Sequence, residues 1–220
     1  MSSTGTTLKH YFVNHDQQFD AAKLGMWLFL VTEILLFSGM FVAYAVYRSW
    51  HPEVFVQASE LLDWRLGALN TVVLLASSFT VALSIHFIQK GENDKVVVLL
   101  LMTLLCAAIF MVVKYFEYSG KFSHGVFPGA GFEPHGIIDG KDYSTYDIPF
   151  APQFFSIYFV MTGIHGVHVL VGMGVFVWLV TRVARGHFSP QWYTPVELTG
   201  LYWHLVDIIW IFLFPLLYLI

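Results

Sequence analysis

Charge is scarce in this chain. Asp, Glu, Lys and Arg make up 12% of its 220 residues, about half the share found in soluble domains. The net charge is −4, so no basic excess points to nucleic acid. Cysteine occurs once, which excludes a disulfide scaffold and any Cys-x-x-Cys motif. There is no phosphate-cradling glycine-rich motif and no serine nucleophile elbow. What is abundant is apolar: 57% of residues are hydrophobic, 21 of them Phe, and mean hydropathy is +0.65. That composition excludes disorder and leaves an all-α, polytopic membrane protein.

A hydrocarbon core of about 30 Å needs roughly 20 apolar residues as helix. Five segments qualify, at about 24–47, 66–89, 96–118, 152–181 and 197–220. They form one transmembrane domain, 24–220, behind a polar N-terminal segment, 1–23. That segment lacks a basic start, a short apolar region and a small-residue cleavage site, so no cleavable signal is expected. Lys9, Lys23, Lys90, Lys95, Arg182 and Arg185 fall on the N-terminal side, against Arg48, Arg65, Lys121 and Lys141 on the other. The positive-inside rule then places the N-terminus inside and the C-terminus outside. The polar turn from Gln89 to Asp94 joins the second and third spans as an antiparallel hairpin. The loop 119–151 is rich in Gly and Pro and breaks regular structure. Trp50, Trp64, Trp192, Tyr193 and Tyr202 flank spans and read as interfacial anchors.

Ionisable groups inside spans are costly unless paired or turned toward protein. Glu33 lies about 14 Å into the first span. It is either a structural carboxyl bonded to a neighbouring helix or a proton-linked or lipid-sensing group. His165 and His168, three residues apart, lie on one flank of the fourth span, with Gly172 on the same face. They suit interhelical hydrogen bonding. In the fifth span, His204 and Asp207 are spaced to share a hydrogen bond, and Trp203, Asp207 and Trp210 form a stripe. Asn70 and Thr71 add uncharged polarity to the second span. A di-iron bundle would need several Glu and Glu-x-x-His pairs; Glu33 stands without them, so no metal site is expected. A bis-His haem would need His at matched depth on facing helices, which His204 fits poorly.

Residues 24–39 (LGMWLFLVTEILLFSG) resemble the glutamate-bearing helix of subunit III of the haem–copper respiratory oxidases. Residues 69–78 (LNTVVLLASS) resemble that family's next helix. Residues 162–172 (TGIHGVHVLVG) and 202–214 (YWHLVDIIWIFLF) resemble its last two, and Glu197 also fits. The resemblance implies the five-helix form of a non-catalytic subunit of a proton-pumping terminal oxidase. That oxidase works in aerobic electron transport and reduces oxygen to water with cytochrome c or quinol. The chain would support assembly, stability and proton uptake, and bind no cofactor itself. Haem and copper would sit in its partners, the catalytic subunit I and a copper-bearing or quinol-oxidase-type subunit II. Glu33 would be the reactive carboxyl, paired with His168 or His165. Around it the resemblance suggests a polar cluster of His165, His168, His204, Asp207 and Glu197, and lipid contacts at Trp27, Trp203 and Trp210 with a structural phospholipid. Further subunits, or a supercomplex, would dock on loop 119–151, which is longer than the family's usual counterpart. The expected location is the bacterial cytoplasmic (inner) membrane. Two alternatives are a subunit III homologue of a nitric oxide reductase and an independent proton-linked transporter. The absence of inverted halves argues against the second.

Overall fold

The computed structural model describes residues 10–129, 132, 137–138, 141–142 and 151–220. Its helices are α1 (His15–Trp50), α2 (Pro52–Ser59), α3 (Trp64–Gln89), α4 (Asn93–Ser123), α5 (Ala151–Ala184) and α6 (Thr194–Tyr218). All but α2 are long and apolar enough to cross a membrane. The only strands among the described residues are the two-residue β1 (Ile137–Ile138) and β2 (Lys141–Asp142), paired antiparallel within the outer loop.

The helix ends follow local chemistry. α1 starts well before its apolar run because Asn14 caps it, accepting from the Gln17 N–H at 2.7 Å, while the Gln17 side chain accepts from the Val13 N–H at 2.8 Å. It stops at His51, which precedes Pro52 and leaves the helical conformation at φ −135° and ψ 60°. Pro52 then opens α2, whose Phe55 is buried between Tyr44 and Phe154. The Asp63 carboxylate caps α3. Gly91, at φ +77°, closes the hairpin between α3 and α4. Gly186, at φ +68°, ends α5.

α3 packs against α4 and α6, α4 against α5, and α5 against α6, so four helices close a ring. Buried positions alternate at spacings of three and four. On α3 they are Gly67, Asn70, Leu74, Ser77, Val81, Ser84 and Ile88. On α4 they are Val96, Leu100, Thr103, Ala107, Phe110, Lys114, Glu117 and Lys121. Each is a heptad seam, the pattern of supercoiled bundles. Contacts Gly67–Phe214, Thr71–Trp210 and Ser77–Trp203 run in opposite senses along α3 and α6, which are therefore antiparallel. α1 lies outside the ring, against α5, α6 and α2. The same seam carries α4 to Ser123, past the point where the outer loop is expected to begin, because Lys121 turns inward.

Candidate functional site

Glu33 and His168 meet between α1 and α5. The carboxyl Oε2 lies 2.7 Å from the imidazole Nε2. The Nδ1 of His168 lies 2.8 Å from the Ile164 carbonyl oxygen, which can only accept, so Nδ1 carries a hydrogen. Two arrangements remain. Either a neutral carboxylic acid donates to a neutral imidazole, or a carboxylate accepts from an imidazolium. Both are net neutral, which is what a site deep in hydrocarbon demands, and they differ by one proton shifted along one hydrogen bond. Phe37 packs edge-on against the His168 ring, 5.4 Å between centroids. Tyr202 donates to the His168 carbonyl at 2.9 Å.

The other expected members of the cluster part company. His165 does not share the environment of His168. Three residues turn a helix by about 300°, so the two rings diverge by roughly 60°. That sends His168 toward α1 and His165 into the ring, where it is fully buried beside Phe110 and Trp210. His204 and Asp207 do not bond each other. His204 Nδ1 pairs with the Ser78 hydroxyl at 2.6 Å. Asp207 is buried with neither oxygen in a hydrogen bond, its polar neighbour being that same Ser78. Glu197 is away from both, in an ion pair with Lys23 at 3.0 Å that ties α1 to α6 near the helix starts.

The tryptophans also divide. Trp27 is 57% exposed on α1. Trp203 and Trp210 are fully buried, against the expected lipid contact. Their indole N–H groups donate to Ser77 at 2.9 Å and Thr71 at 3.1 Å. Only partners on α3 could satisfy those donors away from water. Trp203 fits because Gly172 has no side chain; a Cβ there would lie 2.6 Å from the indole ring. Tyr202 is likewise buried rather than interfacial.

A second polar centre escapes the sequence reading. Lys114, Glu117 and Lys121 occupy the α4 seam, each at most 7% exposed. Lys114 Nζ lies 2.9 Å from Glu117 Oε2 and donates to the Tyr218 hydroxyl at 2.6 Å. Tyr158 and Tyr218 both donate to Glu117 Oε1 at 2.7 Å. Lys121 Nζ stands 4.0 Å from the same oxygen. Lys114 also sits 4.7 Å from the centre of the Trp210 ring, a cation–π contact. The signal was the spacing Lys-x-x-Glu-x-x-x-Lys, which puts all three on one stripe.

Among the described residues, no three His, Cys, Asp or Glu come together as a metal site. The chemistry on offer is proton sharing at Glu33–His168 and charge burial at Glu117. The family model described as "Cytochrome c oxidase subunit III" matches residues 7–220. Quinol oxidase subunit 3 of Bacillus subtilis is 31% identical over 196 residues, covering 89% of this chain and 85% of that protein. Cytochrome c oxidase subunit 3 of Thermostichus vulcanus is 29% identical over 222 residues, covering 100% of this chain and 96% of that protein. Probable quinol oxidase subunit 3 of Staphylococcus haemolyticus is 27% identical over 198 residues, covering 90% and 88%. These matches do not favour the transporter or the nitric oxide reductase reading. The chain belongs to the cytochrome c oxidase subunit III family, as a multi-pass membrane, non-catalytic subunit of a terminal oxidase that associates with the oxidase's other subunits.

Proposed function

We propose that this chain braces a haem–copper catalytic subunit I, beside a subunit II of the copper-bearing or quinol-oxidase type, in a bacterial cytoplasmic membrane with its N-terminus inside. Haem and copper, held by those partners, supply the oxygen chemistry. This chain holds a proton-linked group in the membrane alongside. The Glu33–His168 bond carries the reading. It is a titratable pair built between the peripheral helix and the ring, able to shift a proton without changing net charge. Lys23–Glu197 and the hydrogen bond from Tyr44 to the Leu216 carbonyl hold the same helix at other depths.

The outward face of α1, with Leu24, Trp27, Leu28, Val31 and Leu35 exposed, is offered to lipid or to subunit I. A cavity of about 340 Å³ between α1, α5 and α6, lined by Met26, Phe29, Val171 and Tyr202, fits a phospholipid chain. About half of the loop toward a further subunit lies outside the described residues, and that contact stands on the loop's length and composition alone.

Purifying the oxidase through a tag on this chain tests the assignment. Mass identification should return a haem–copper subunit in equal amount. Recovery of this chain without it would refute the reading. A complex unchanged in yield and in turnover-dependent inactivation by Glu33→Ala would refute the role of the pair. Deleting residues 130–145 without loss of any partner would refute the loop contact.

A further inference from the structure

Three fully buried side chains on three helices of the ring share an unusual property. Asn70 on α3 has no hydrogen-bond partner for either amide atom, His165 on α5 none for either ring nitrogen, and Asp207 on α6 none for either carboxyl oxygen. Each has a tie to Trp210. The His165 ring stands 5.3 Å from the indole. The indole N–H is bonded to Thr71, the residue after Asn70. Asp207 lies about one helical turn from Trp210 on the same helix.

The neighbouring hydroxyls are engaged elsewhere. Ser78, the one beside Asp207, is held by His204 Nδ1 at 2.6 Å. Thr71 gives its hydrogen to the Gly67 carbonyl at 2.9 Å, and Ser77 gives its own to the Leu74 carbonyl at 2.7 Å. Both already accept from tryptophan. The unmet groups are mixed in kind. The amide offers two donor hydrogens and an acceptor, the neutral imidazole one of each, and the carboxyl at least one acceptor. An acyl chain satisfies none of these. A cation satisfies only the oxygens and prefers several of them. A molecule that both donates and accepts, and is small enough for a packed seam, is water.

We propose that ordered water bridges Asn70, His165 and Asp207, so that the core of the ring around Trp210 is a hydrated chamber inside the membrane. The chamber adjoins the Lys114–Glu117 centre, since Lys114 lies over the same indole, and it is separate from the Glu33–His168 pair on the α1 side. It makes the interior of this subunit wet where its sequence reads as hydrocarbon.

A map of the intact oxidase in lipid nanodiscs, fine enough to show water, tests this. Water density should lie among the three side chains, and it should be lost in Asn70→Leu, which removes a water anchor at similar volume. A map in which the three groups bond protein directly would overturn the proposal, as would one in which a metal ion, or nothing, lies between them. The wild-type map decides the matter even if the variant fails to assemble.

Discussion

The two polar centres of this subunit solve the burial of charge in opposite ways. Glu117 is held by two tyrosine hydroxyls and one lysine at hydrogen-bond distance, with a second lysine at 4.0 Å, all within the heptad seam. Glu33, on the helix outside the ring, has one partner, and its side chain is 15% exposed. A carboxylate with several partners fixes geometry, since any movement breaks several bonds at once. A carboxyl with one partner can hand over a proton and stay where it is. The first arrangement builds the ring; the second leaves a group free to respond.

That contrast can be broken most severely at Glu117. Glu117→Ala would leave the buried Lys114 ammonium without its anion, a loss of about 3–5 kcal/mol. The expected result is collapse of complex yield, measured by haem content per membrane protein. Glu117→Gln should be nearly as harmful, since the amide cannot neutralise Lys114. Next comes Gly172→Val, which drives a side chain into the Trp203 ring. Overpacking of this kind costs about 1–3 kcal/mol and should appear as a lowered thermal midpoint of the purified oxidase. Glu33→Ala should cost about 1–3 kcal/mol by orphaning His168. Here Glu33→Gln sharpens the comparison. It should restore yield, because an amide can donate to the imidazole, while leaving turnover-dependent inactivation as fast as in Glu33→Ala. Equal rescue of both readouts would show the pair to be structural, like Glu117. Lys23→Ala removes a partly exposed ion pair, worth about 0.2–1 kcal/mol. Its effect on thermal stability should fade as salt rises.

What was legible in the sequence follows from the same division. Five long apolar runs specify five spans, and a solitary Glu33 far from any charge must seek a partner on another helix. His168 was one of two readable candidates; the turn of α5 settled between them. Of Lys114, Glu117 and Lys121, the sequence reading counts only Lys121, as a flanking charge. Their shared stripe becomes meaningful only when Tyr158 and Tyr218, 41 and 101 residues away from Glu117, arrive from other helices. Trp203 and Trp210 carry the residue type of membrane interfaces. Their polar partners Ser77 and Thr71 are more than 120 residues earlier, and no local pattern couples them. α2 has only eight residues, too few for its periodicity to stand out beside Pro52.

Glu33 and His168 are separated by 135 residues of chain. At translation speeds of about 5–20 residues per second, the first helix waits on the order of ten seconds for its partner to be made. During that interval its carboxyl is without the His168 imidazole. The nascent subunit thus passes through a stage at which a carboxyl-seeking reagent or a quality-control protease can tell it from the finished one.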